Sequence, residues 1–235
     1  MPAQGGQSLR VVAFAANHTR ALFERKGTTV HSTIAAPKTT VRRTYRWRVV
    51  DIVVASVIGV ASGVIFWAWG LAWTPLSGLL AFAPGLGGLL AGGWLFAGVL
   101  GGLVIRKPGA AVYTEIIAAV VSMLIGTQWG FSTLIWGFVE GLGAELVFAA
   151  FLYANWRLGV ALLAGAGAGV AVALLDTNFT DYAALDFGVK AVYFISAVVS
   201  GVVIAGLLSW LAARGLARSG ALSRFASGRT AAPQA

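Results

Sequence analysis

Three glutamates, Glu115, Glu140 and Glu145, stand inside otherwise apolar stretches of this 235-residue chain. An ionisable side chain at membrane depth costs about 3 kcal/mol on insertion scales, so a chain that keeps several has a use for at least one. Glu140 and Glu145 lie in residues 126–151, GTQWGFSTLIWGFVEGLGAELVFAAF, among glycines and tryptophans. A carboxylate beside indoles suits a small planar cation: the acid pairs with the charge and accepts from amines, and the indole adds stacking and cation–π attraction. No Lys or Arg lies deep in an apolar run, which disfavours an anionic substrate.

Other chemistries lack their parts. Both histidines, His18 and His31, precede the first apolar run, and cysteine is absent. No histidine is therefore available at membrane depth for a Ser-His dyad or a metal site, and no disulfide framework exists. There is no P-loop and no pair of membrane aspartates. The expectation is a non-enzyme with no catalytic residues, no metal and no cofactor.

The elements that must hold these acids are membrane helices. Hydrophobic residues make up 58% of the chain and charged residues 11%, against about 25% charged in soluble domains. Mean hydropathy is +0.83. The net charge of +9 sits in the tails and two short turns, which is a topology signal and not a nucleic-acid face.

Six apolar runs are expected to span the bilayer, at about 49–73, 78–105, 110–127, 132–154, 158–175 and 187–213. Residues 1–48 read as a basic, disordered cytoplasmic leader, 49–213 as the transmembrane domain and 214–235 as a basic cytoplasmic tail. The leader, the Arg106–Lys107 turn, the Arg157 turn and the tail all carry Lys or Arg. The alternate connections, around Thr74, Gln128 and 176–186, carry none. That bias puts both termini in the cytoplasm of a multi-pass plasma-membrane protein. Trp73 and Trp129 at outer ends, and Trp47, Trp156 and Trp210 at inner ends, fit an interfacial belt.

On this topology Glu140 sits roughly 12 Å below the outer surface, within reach of an outward-facing cavity. The same half of the bundle offers Trp67, Trp69, Trp129, Trp136 and Tyr193, with Gln128, Ser132, Thr133 and Asn178 as neutral polar groups. Glu140, Trp129, Trp136, Gln128, Trp67, Trp69, Asn178 and Tyr193 form the candidate substrate site. Glu145 lies deeper, at a level nearer Glu115, and this pair is expected to be structural, bonding across helices. Ala55, Gly59 and Gly63, four apart, make a smooth face that packs either within the bundle or on an outside helix. Gly165, Gly167 and Gly169 read as packing, as more weakly do Ser196 and Ser200.

The segments RVVDIVVASVIGVASGVIFWAW, KPGAAVYTEIIAAVVSMLIGTQWG and STLIWGFVEGLGAELVFAAF resemble the YkoE type of substrate-binding (S) component of energy-coupling-factor (ECF) ABC transporters. The resemblance covers about residues 45–218; the long leader departs from it. It implies an all-α, six-helix S-component bundle with a vitamin site near the outer face, for thiamine or its hydroxymethylpyrimidine precursor. It also implies a transmembrane coupling (T) protein and two ABC ATPase subunits as partners, with Ala55, Gly59 and Gly63 as the docking face. Two other readings stand beside it: a stand-alone proton-coupled carrier with Glu115, Glu140 and Glu145 as a relay, and a non-transporting scaffold.

Overall fold

A computed structural model describes residues 45–222 together with Phe225 and Ser227. The leader up to Thr44, with both histidines, and Arg224 and Arg229 of the tail lie outside the described residues. The elements are all helical: α1 (Val49–Leu79), α2 (Gly92–Ile105), α3 (Ala110–Ile125), α4 (Ser132–Ala150), α5 (Leu158–Phe179) and α6 (Phe187–Ser200). The last continues through a π-helical stretch, Gly201–Leu208, into α7 (Ser209–Arg218). Two 3-10 segments, Pro84–Leu90 and Asp181–Ala184, precede α2 and α6. Five of these helical runs are long and apolar enough to cross a membrane. The sixth apolar helix, α3, has only 16 residues, about 24 Å.

Several boundaries differ from the sequence reading: the fourth span stops at Ala150 and the sixth runs on to Arg218, and three differences reshape the bundle. α1 does not stop at Trp73 but runs through Pro75 to Leu79; an interior proline loses one hydrogen bond and crowds the carbonyl four residues back, a break that membrane helices tolerate. α5 runs past Leu175 to Phe179 and takes Asp176 out of the loop. The second span is not one helix: Pro84 opens the 3-10 segment, and α2 begins only at Gly92. Backbone groups freed inside a membrane must find partners. Here α6 supplies them: Ser196 Oγ donates to Gly85 O at 2.8 Å, Ser200 Oγ donates to Leu89 O at 2.5 Å, and Ser200 Oγ accepts Gly92 N–H at 3.0 Å. Ser196 and Ser200 are therefore polar ties as well as small packing residues.

α2 is the central post. Leu95, Val99 and Leu103 are buried in one core cluster with Ala144 and Phe148 of α4 and Ala161, Ala164 and Ala168 of α5. At its end Arg106 turns left-handed (φ 58°) and Gly109 does the same (φ 83°), a conformation costly for most side chains but free for glycine. α3 then runs antiparallel to α4 in a clean register. Glu145 faces the backbone of Ala111, Gly141 packs on Glu115, and Gly137 packs on Ala119.

The Ala55–Gly59–Gly63 face is corrected by this packing. A Cβ on Gly59 would meet Ile117 at 2.6 Å, and one on Gly63 would meet Ala118 O and Val121 at 2.6 Å. All three residues are buried, so α3 already fills this seam and it is not an open face for a partner helix. The exposed side of α1 carries Val53, Val57, Val60 and Val64 instead.

Candidate functional site

α3, α4 and α5 each bring one carboxylate into the same region. Glu140 on α4 is 6% exposed and has no hydrogen-bond partner among the described residues. Glu115 on α3 is fully buried; its Oε2 accepts Gly98 N–H at 2.5 Å, and its Oε1 has no partner among the described residues. Asp176, in the last turn of α5, accepts Trp136 Nε1–H at 2.7 Å on Oδ1 and the Tyr193 hydroxyl on Oδ2. Glu140 lies within electrostatic range of both other acids. Thr133, Trp136 and Glu140 follow one face of α4 at helical spacing, and Thr133 Oγ1 is also buried without a partner among the described residues.

Aromatic rings frame this acidic line. Tyr193 packs against Tyr182 with centroids 4.1 Å apart, and the Tyr182 hydroxyl donates to Pro84 O at 3.3 Å. Burial, and then the charge of Asp176, hold the Tyr182 phenol above its ordinary range, so it remains a neutral donor. The arrangement attracts cations and polarised N–H groups, and offers ring faces for stacking.

A second aromatic group forms a chain of edge-on contacts: Trp69 with Trp94 (6.3 Å), Trp94 with Trp129 (5.1 Å) and Trp129 with Trp73 (5.8 Å). Trp69 Nε1 donates to Leu90 O at 2.9 Å. The 3-10 segment thus anchors Tyr182 at its Pro84 end and Trp69 at its Leu90 end. Gln128 Nε2 reaches Gly70 O at 3.4 Å, tying the α3–α4 turn to α1.

Of the residues expected from sequence, Glu140, Trp136 and Tyr193 converge through Asp176, and Trp129 and Trp69 join through Trp94. Trp67 is half-buried, with no ring or hydrogen-bond partner among the described residues. Asn178 is exposed, and its side-chain amide bonds back to Leu174 O of its own helix at 2.8 Å; it is not part of this group. Asp176, Tyr182 and Trp94 were missed. Asp176 carried a signal: it stands four residues after Val172 and three after Ala173, both on the buried face of α5.

The expected Glu115–Glu145 pair does not form. Glu145 accepts Gly109 N–H (2.6 Å), Ala111 N–H (2.8 Å) and the Tyr153 hydroxyl (2.8 Å), so it caps the start of α3. Glu115, one turn further along α3, lies level with Gly141 and joins Glu140 instead. A fourth buried acid, Asp51 at the start of α1, is held by Arg48 (2.9 Å) and by Lys107, while Lys107 Nζ also donates to Arg46 O at 2.5 Å.

Residues 50–171 match the family described as "ABC-type cobalt transport system, permease component". Among the described residues, no group of three His, Cys, Asp or Glu side chains is arranged to hold a metal ion. The "Putative HMP/thiamine permease protein YkoE" of Bacillus subtilis (strain 168) is 37% identical over 186 residues, 78% of this chain and 91% of that protein. A solved structure described as "Crystal structure of an S-component of ECF transporter" superposes with a TM-score of 0.75 at 36% identity, over 79% of this chain and 93% of that one. Fold and matches together define a multi-pass plasma-membrane transport subunit of the S-component class, a permease and not an enzyme. Within that class the chain belongs to the YkoE family.

Proposed function

We propose that the chain is the substrate-capture subunit of an ECF-type importer and binds thiamine or its hydroxymethylpyrimidine precursor beside Glu140. The observation that carries this reading is a buried carboxylate without a partner, flanked by two more acids and by Trp136, Tyr193 and Tyr182. A thiazolium or an aminopyrimidine supplies the charge or the N–H donors that Glu140 lacks, and the rings supply stacking faces. Support for the ligand class comes from the YkoE relative. The Asp176 end faces outward, since the connections there carry no basic residue outside Lys190. Trp129, Trp69 and Gln128 form the rim on the α1 side, and Trp67 faces the same half of the bundle.

The chain works with a coupling protein and two ATPases, in keeping with the S-component likeness. Docking then falls to the exposed valine face of α1, because Ala55, Gly59 and Gly63 are occupied by α3. The proton-relay alternative is weakened by Glu145, which is engaged by three donors at the far end.

The test is intrinsic fluorescence of the purified chain, which has nine tryptophans. Saturable quenching by thiamine or hydroxymethylpyrimidine without ATP is expected. Glu140→Gln is expected to weaken the cationic ligand more than the neutral one. Absence of quenching up to high micromolar ligand sinks the capture role, and an unchanged affinity in the variant removes Glu140 from the site.

A further inference from the structure

At the opposite end of α5 from Asp176, a groove of about 650 Å3 opens on the bundle's side. Its floor is a stripe of α5 at helical spacing, Val160, Leu163 and Ala166, with Val202 of the π-helical stretch along one wall. Asn155 and Arg157 stand at its mouth. From Arg157 to Ala166 the groove runs about 13 Å along the helix, close to half of a hydrocarbon core about 30 Å thick.

The mouth is built for an anion. Arg157 is exposed, and its guanidinium has no partner among the described residues. α5 begins here with no side-chain cap on its first amides and no acidic residue in its first turn, which leaves the positive end of a 22-residue helix beside Arg157. The nearest acid of the preceding helix, Glu145, already accepts from three donors. Trp156 next to it is covered by a second cation, Arg106, whose Cζ lies 5.6 Å from the ring centroid.

We propose that this groove is a binding site for one anionic phospholipid, with an acyl chain along Val160, Leu163 and Ala166 and the phosphate at Arg157 and the first amides of α5. A free apolar helix would fill the groove but leave Arg157 and the amides unmatched; a lipid of net negative charge matches both, whereas a zwitterionic headgroup brings its own cation beside Arg157. The basic residues of this end place it at the cytoplasmic leaflet, where anionic lipids gather. The site is separate from the ligand site beside Glu140 and does not depend on it.

The experiment is native mass spectrometry of the full-length chain released from detergent containing equal palmitoyl-oleoyl phosphatidylglycerol and phosphatidylcholine. The expected result is a retained phosphatidylglycerol adduct, favoured over phosphatidylcholine by about fivefold or more, the share of one cation near a phosphate. Arg157→Gln is expected to abolish the preference. Ala166→Phe, which fills the groove, is expected to remove the adduct altogether. Arg157 is exposed and has no side-chain partner among the described residues, so its variant is expected to fold even where the Phe variant does not. Equal retention of both lipids by the unaltered chain overturns the proposal. So does an undiminished preference in Arg157→Gln, or a dimer without lipid as the occupant of the groove.

Discussion

Changing Tyr153 to Phe removes a single hydroxyl, 2.8 Å from Glu145 Oε1. Burial first, and then the bond to Glu145 and its charge, hold the Tyr153 phenol above its ordinary value, so it is a donor at any physiological pH. Hydrogen bonds to charged acceptors contribute about 1.5–3 kcal/mol net. Tyr153 is half-buried, which points to the lower part of that range, about 1.5–2 kcal/mol. Glu145→Ala takes away more, because the amides of Gly109 and Ala111 also lose their acceptor. The buried Ala111 amide left unpaired costs about 1–3 kcal/mol and the part-buried Gly109 amide less, and the lost charge at the start of α3 about 0.3–1 kcal/mol. The sum with the hydroxyl is about 3–8 kcal/mol. The double variant is expected to cost less than the two single changes together, by the shared bond of about 1.5–2 kcal/mol.

The assay is thermal unfolding of the detergent-purified chain followed by tryptophan fluorescence. At roughly 2–4 °C per kcal/mol for a chain of this size, Tyr153→Phe alone lowers Tm by about 3–8 °C. Additivity of the two single variants within about 0.5 kcal/mol would refute the claim that Glu145 pins the start of α3 through this bond.

Two further outcomes follow from buried contacts. Asp51→Ala strands Lys107, whose side chain is 10% exposed, and breaking a buried pair costs about 3–5 kcal/mol; adding Lys107→Met is expected to recover part of that loss in the same melt, and no recovery would mean that the pair is not what Asp51 supports. Gly63→Leu forces a side chain into the seam where even a Cβ lies 2.6 Å from Ala118 O; overpacking of this kind costs about 1–3 kcal/mol, so the isolated chain is expected to melt earlier. An unchanged melt with lost co-purification of a partner would instead make the seam a docking face.

The class of the protein was legible because long apolar runs and basic connections leave few alternatives. What lay hidden was register. Counting depth inward from each turn put Glu115 beside Glu145, but Gly109 places the first turn of α3 directly on Glu145, and every later residue is set by that contact. Gly141 and Gly137, one turn apart on α4, mark where α3 comes closest; they bring Glu115 level with Glu140. Asp51 was unreadable for a different reason: its partner Lys107 is 56 residues away, and no local pattern carries such a pairing. Asp176 was missed by ending α5 at the first polar residue, although its spacing from Val172 and Ala173 continues the buried face.

The break before α2 bears most directly on the site. A continuous helix through this span would satisfy its own carbonyls. The chain instead uses Ser196, Ser200, Tyr182 and Trp69 to satisfy four backbone oxygens of the 3-10 segment, those of Gly85, Leu89, Pro84 and Leu90. Non-helical backbone at membrane depth persists where protein surrounds it or where it lines a cavity, and here protein side chains surround it. The same four bonds fix the spacing between the two aromatic groups: Tyr182 carries Tyr193 and hence Asp176, while Trp69 carries Trp94 and Trp129. A shift of this segment therefore moves both groups together, so on the site proposed above Ser196 and Ser200 are the residues expected to alter ligand affinity without touching ligand.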